Sequence, residues 1–176
     1  MNLTDGEVIL ADLNFEYLKI YFDGGSRGNP GPSAVGAVVY DKNDNIIEEI
    51  AEYVGQCTNN VAEYRSLEKV LDVIKKYKNN YNVRRIIINT DSKLVHNQLK
   101  RIWKIKDENL FEIYKKIVKR LKDYEIVDLR LIPREQNSAA DRLVNIALDR
   151  EIYGIGGNKT LLNGNNIKFG TIEDKS

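Results

Sequence analysis

Between Glu16 and Phe22 the chain alternates as "EYLKIYF", rich in aromatic and β-branched residues, and this pattern predicts a strand. "SAVGAVVYD" at 33–41 predicts a second strand and "NIIEEIAEYVG" at 45–55 a third. The turn cluster "DKND" separates the last two, so the three read as an antiparallel meander. The period then lengthens. In "NNVAEYRSLEKVLDVIKKY", Val61, Tyr64, Leu67, Val70, Leu71 and Ile74 recur at helical spacing, with Thr58 or Asn59 as N-cap. "VRRIIINTD" at 83–91 is a continuous apolar run and reads as a buried strand. "SKLVHNQLKR" predicts a short helix capped by Ser92, and "ENLFEIYKKIVKRLKDY" a longer one with Leu110, Ile113, Ile117 and Leu121 on one side. "IVDLRLI" at 126–132 alternates as a strand that Pro133 ends. "SAADRLVNIALDR" at 138–150 predicts a last helix.

The resulting order, βββαβααβα, is an antiparallel start followed by alternating units. It implies an α/β fold with a mixed sheet and helices packed on its faces. The domain is expected over 16–150, after an N-terminal extension at 1–15. From Glu151 to Ser176 the texture turns rich in Gly and Asn, a small hairpin or a partly ordered tail.

Composition narrows the class. The chain has 176 residues, 42% hydrophobic and 30% charged, which suits a globular domain. No stretch approaches roughly twenty uninterrupted apolar residues, so no membrane span is expected. The first residues carry acids where a signal peptide needs positive charge. A single cysteine, Cys57, allows no internal disulfide, so the expected location is the cytoplasm. The net charge is only +1, but ten lysines and arginines lie between Ser92 and Lys122 against three acids. That run is either a solvated helix face or an electrostatic footprint for a phosphate backbone.

The acids carry the chemistry. Asp23 follows the first strand, Glu63 lies in the first turns of the first helix, Asp91 ends the buried strand, and Asp141 opens the last helix. Singly, acids at such places serve as turn or dipole partners. Together they allow another reading. If the first and fourth strands are neighbours, Asp23 and Asp91 end side by side, and helices starting at that edge can bring Glu63 and Asp141 alongside. Four converging carboxylates repel, and a divalent cation such as Mg²⁺ relieves that repulsion through hard oxygen ligands.

The strings "FDGGSRGNPGPSAVGAVVYD", "TNNVAEYRSLEKVL", "NTDSKLVHNQL" and "NSAADRLVNIAL", with acids in the order Asp-Glu-Asp-Asp, resemble ribonuclease H, type I, over about residues 17–150. The resemblance implies a ribonuclease H-like fold with a five-stranded mixed sheet and helices on both faces. It implies a metal-dependent endoribonuclease that hydrolyses the RNA strand of RNA–DNA hybrids. Asp23, Glu63, Asp91 and Asp141 would hold two Mg²⁺ or Mn²⁺ ions per active site. Water would attack in line at the scissile phosphate, leaving 3′-hydroxyl and 5′-phosphate ends. Gly28, Asn29 and Gly31 would lie near the minor groove, where RNA exposes its 2′-hydroxyls. Thr58 would contact a phosphate of the DNA strand, and Asn59 and Asn60 the groove. Trp103, Lys104 and Asn137 complete the expected substrate contacts.

Two departures from the family pattern stand out. There is no room for the basic handle helix that some members insert after the third acid. The loop before the last acid, "IPREQNSAAD", holds no histidine, and Arg134 is the candidate to take part of that role. His96, the only histidine, reads as a surface or packing residue. Two other readings stay open: a nuclease of this fold preferring another duplex, such as double-stranded RNA, and a non-catalytic nucleic-acid-binding domain.

Overall fold

The structure, a computed structural model, describes residues 16–154. The N-terminal extension at 1–15 and the tail from 155 onward, where a hairpin was one expectation, lie outside the described residues.

Five strands form one mixed sheet: β1 (Tyr17–Ser26), β2 (Gly31–Tyr40), β3 (Ile46–Cys57), β4 (Arg85–Thr90) and β5 (Ile126–Leu131). Their spatial order is β3-β2-β1-β4-β5. β1 pairs antiparallel with β2 and parallel with β4, and β5 adds a second parallel pair. Four helices complete the expected order: α1 (Asn59–Tyr81), α2 (Lys93–Leu99), α3 (Glu108–Leu121) and α4 (Ser138–Tyr153), the last preceded by a 3-10 turn over Arg134–Asn137. Among the described residues, no helix is long and apolar enough to cross a membrane.

The strand period of two sorts the side chains between layers. Leu18, Ile20 and Phe22 of β1 join Val35, Ala37 and Val39 of β2 on the face that α1 covers. There they meet Tyr64, Leu67, Val70, Leu71 and Ile74, the helical stripe read from the sequence, with Ile117 of α3 behind them. On the other face α4 packs through Val144, Ala147 and Leu148 against Ala34. Helices therefore cover both faces, as an α/β sheet of this order requires.

β1 extends further than its apolar run. The sequence suggests a strand ending at Phe22, yet pairing continues from Asp23↔Gly36 to Ser26↔Ser33. Ladder bonds are made by backbone, so Gly24 and Gly25 continue the strand although they add nothing to its hydrophobic pattern. The turn is confined to the residues after Ser26, where Arg27 N donates to Pro32 O at 2.8 Å. The last helix also runs past Arg150 to Tyr153 and ends at Gly154 in a left-handed cap.

Candidate active site

The parallel register of β1 and β4 pairs Tyr21 with Asn89, so Asp23 and Asp91 emerge two residues later at the same carboxyl edge of the sheet. Such edges are where open α/β sheets bind ligands. Glu63 comes from the first turns of α1 and Asp141 from the first turn of α4. All four acids line one cavity, together with Arg27, Asn59, Arg134 and Asn145.

Two glycines make this convergence possible. A Cβ on Gly24 would stand 2.1 Å from the carbonyl carbon of Ala62 and 2.3 Å from Glu63 N. The bare strand thus lets the first turn of α1 press against β1, next to Asp23. A Cβ on Gly36, the cross-strand partner of Asp23, would stand 2.3 Å from Ala140 O and 2.8 Å from Val144 N. Here α4 presses on β2 beside Asp141. Side chains at either position would push a helix and its acid outward.

Each carboxylate is held by a different donor. Asp23 Oδ1 accepts from Gly24 N at 2.9 Å. Glu63 Oε2 accepts from Ser92 Oγ at 2.7 Å, and its Oε1 from Asn59 Nδ2 at 3.4 Å. Asp91 Oδ1 accepts from Asn137 Nδ2 at 2.7 Å. Asp141 pairs with Arg134 Nη2 at 3.3 Å and accepts from Asn145 Nδ2 at 3.3 Å. The carboxyls of Asp23 and Glu63 are pushed up to about 7. For Asp23 the causes are burial, then the charges of Asp91 and Asp141. For Glu63 they are burial, against which Ser92 works, then the charges of Asp23 and Asp91.

This donor set fits a hard divalent cation. Four oxygen-bearing groups converge from separate elements, and two of them are reluctant to ionise without added positive charge. Among the described residues, however, no group of three or more His, Cys, Asp or Glu side chains is closed into an ion cage. The acids instead rest on the hydrogen bonds just described.

The expected substrate residues fall into four groups. Gly28 and Asn29 are exposed in the β1–β2 turn, and Asn29 Oδ1 accepts from Asn59 N at 3.1 Å, tying that turn to the start of α1. Thr58 caps α1 through Oγ1, which accepts from Val61 N, and Asn60 is exposed beside it. Trp103 and Lys104 lie away from the cavity, exposed in the segment between α2 and α3. Asn137 differs from the reading as a substrate contact. It is only 1% exposed, and its amide donates to Phe22 O at 2.9 Å as well as to Asp91.

The basic run also divides. Arg120 pairs with Glu68 and Asp72 of α1, and Lys115 with Glu112, so these cations serve the helix layer. Lys100, Arg101, Lys104 and Lys106 are exposed around Trp103. Ser92 and Asn145 escape the sequence reading as site residues. Ser92 was legible only as a cap, which it is, accepting from Val95 N while donating to Glu63. Asn145 offers no signal beyond its spacing of four from Asp141.

Residues 21–147 match the family described as reverse transcriptase-like. Bifunctional protein Rv2228c of Mycobacterium tuberculosis is 38% identical over 128 residues, covering 72% of this chain and 34% of that protein. The chain thus spans about a third of the length of the first curated relatives it matches. The solved N-terminal RNase H domain of Rv2228c superposes with a TM-score of 0.70 at 37% identity, over 76% of this chain and 99% of that one. LC11-RNase H1, isolated from compost and solved in complex with RNA/DNA hybrid, gives a TM-score of 0.73 at 35% identity, over 77% and 99%.

Proposed function

The chain belongs to the ribonuclease H family, and from that premise we propose that it hydrolyses the RNA strand of RNA–DNA hybrids endonucleolytically, leaving 3′-hydroxyl and 5′-phosphate ends. The observation that carries this reading is the meeting of Asp23, Glu63, Asp91 and Asp141, from four different elements, in one cavity at the carboxyl edge of β1 and β4. A domain that only binds nucleic acid gains nothing from four converging carboxylates, which repel a phosphate backbone.

In this reading the four acids hold two Mg²⁺ or Mn²⁺ ions. When bound, such ions supply charge neutralisation at the scissile phosphate and activation of water. The chain's own residues prepare that chemistry. Ser92 and Asn59 orient Glu63, and Asn137 orients Asp91, all through neutral amides or a hydroxyl that leave the acids' charge available. Arg134, 79% exposed and paired with Asp141, lines the cavity, where its guanidinium can meet a phosphate oxygen in place of the family's histidine. Gly28, Asn29, Asn59 and Asn60 present small polar surface to the minor groove, and Thr58 a hydroxyl to the DNA strand. Trp103 and Lys104, with Lys100, Arg101 and Lys106, carry the hybrid's backbone beyond the cavity.

The test is cleavage of labelled RNA–DNA hybrid, double-stranded RNA, single-stranded RNA and double-stranded DNA, with Mg²⁺, Mn²⁺ or EDTA. Hybrid should be cut with either ion and not in EDTA. Asp23→Asn should remain folded and lose about a hundredfold or more in rate, the scale of removing one preorganised charge-stabilising group. Cleavage that survives EDTA or Asp23→Asn would remove the metal account, and preferential cutting of double-stranded RNA would reassign the substrate. No cleavage of any duplex would leave a binding domain.

A further inference from the structure

We infer that Asn137 is a positioning residue that locks three of the four carboxylates into one geometry through a single buried amide. The inference rests on the nuclease reading above.

Asn137 closes the 3-10 turn that feeds α4. Its Nδ2 donates to Phe22 O at 2.9 Å and to Asp91 Oδ1 at 2.7 Å. Both partners are acceptors, so the nitrogen end of the amide must face them. The other end, Oδ1, is buried and has no hydrogen-bond partner among the described residues. The side chain is therefore held through its nitrogen alone.

Those two bonds reach the acids on three elements. Phe22 immediately precedes Asp23 on β1, Asp91 follows β4, and Asp141 lies four residues beyond Asn137, one turn into α4. Fixing Asn137 thus fixes the start of α4 against the carboxyl ends of β1 and β4 together. Apolar packing of α4 on the sheet begins at Ala140, buried against Gly36, and continues through Val144, Ala147 and Leu148, so Asn137 anchors the helix on the N-terminal side of that contact.

The chemistry of the amide suits the task. Lysine or arginine here would neutralise Asp91 and compete with a dication for it. A hydroxyl is too short to span both acceptors. The amide orients the carboxylate by one oxygen and leaves the second free. Being 1% exposed, it has no access to substrate of its own. Its influence on cleavage must pass through the acids.

The test uses the whole chain, with Asn137→Ala and the similarly sized Asn137→Leu, which removes both the donor and the orphan acceptor. Steady-state cleavage of hybrid, Mn²⁺ titration by calorimetry and thermal unfolding are measured together. Losing a partner of a ligating group typically costs about 10–100-fold in metal affinity or activity. Both variants should therefore lower kcat by about that factor, with KM for hybrid within about twofold of the parent, and should weaken Mn²⁺ binding. At least one should unfold at a temperature close to the parent's. A kcat and Mn²⁺ affinity near the parent's in a folded variant would overturn the inference. So would a rate loss in both variants that merely tracks their unfolded fraction, or one confined to KM. If the parent itself cuts no hybrid, the nuclease reading fails first, and Mn²⁺ affinity alone then decides whether Asn137 organises the acids.

Discussion

On the α1 face of the sheet, Leu18, Ile20 and Phe22 of β1 are buried beneath Tyr64, Leu67, Val70 and Ile74, a broad layer closed by α3. On the α4 face the buried cluster is Ala34, Val144, Ala147 and Leu148. Each face nevertheless delivers an acid to the same edge, Glu63 from α1 and Asp141 from α4. The broad layer gains from apolar burial at roughly 25 cal/mol per Å², so α1 is placed by the core itself. The thin layer offers less, and polar contacts add to it: Asn137 to Phe22 and Asp91 at the start of α4, and Arg27 to Asp149 near its end. One arm of the site is fixed by packing, and the other by packing and directional bonds together.

The pair Gly24 and Gly36 tests this contrast most severely. Gly24→Ala forces a methyl into the backbone of Ala62 and Glu63, in a helix the core cannot release. Overpacking of this kind usually costs about 1–3 kcal/mol, and here the upper end or beyond is expected, with cleavage lost. Gly36→Ala forces a methyl against Ala140 O, but α4 rests on the thinner layer and can tilt away. Its stability cost should fall near the lower end, about 1 kcal/mol, while cleavage drops as far, because Asp141 and Asn137 ride on the displaced segment. Urea unfolding and hybrid cleavage rates, compared between the two variants, decide the matter. Equal stability losses, or an active Gly36→Ala, would break the comparison.

A second consequence concerns pH. Asp23 and Glu63 rise from ordinary values of 3.8 and 4.5 to about 7 on folding. The folded state therefore holds more protons than the unfolded state between those limits. Their contribution to stability is fully present below about pH 4 and is lost as pH rises through about 7. In EDTA the urea midpoint should fall between about pH 5 and pH 8, and Asp23→Asn should flatten that slope. Adding Mg²⁺ at the higher pH should restore part of the loss, because the ion favours the ionised acids. A midpoint that rises over this range in EDTA, with or without Asp23, would contradict the burial of these groups.

Much of this was legible in the residues. The meander, the helical stripe on α1 and the βββαβααβα order follow from period and spacing, because each is a local pattern that burial reinforces. The four acids stood out by their places at element edges, and only the family resemblance joined them into one set. What escaped is what backbone and hydrogen bonds decide. β1 continues through Gly24 and Gly25 by ladder pairing that no side-chain pattern records. Asn137 reads as a substrate contact, yet it is buried and its two acceptors lie 46 and 115 residues away in sequence, where no local rule connects them. The basic run looks uniform along the chain, but Arg120 is turned onto Glu68 and Asp72 by the packing of α3 on α1.

The weakest expected effect asks how the β1–β2 turn is held between the two faces. Asn29 binds it to α1 through Asn59 N. Arg27 binds it to α4, with Nη2 2.5 Å from Asp149 Oδ1 and its guanidinium 5.6 Å from the centre of the Tyr153 ring. Both partners of the ion pair are partly exposed, so the pair is worth about 0–1 kcal/mol to stability. Its value would lie in keeping Gly28 and Asn29 in place at the cavity rim. Arg27→Ala and Asp149→Ala should then each raise KM for hybrid about two- to fivefold with kcat nearly unchanged, consistent with the loss of a contact worth up to about 1 kcal/mol. The double variant should be no worse than either single one, since a brace is broken once. If instead Arg27 meets a phosphate directly, Asp149→Ala leaves KM unchanged or lowers it. Arg27→Ala alone then weakens binding and flattens its salt dependence by about one charge. Either outcome tells whether α4 serves only to carry Asp141 at its start or also shapes, through its end, the rim on which the substrate rests.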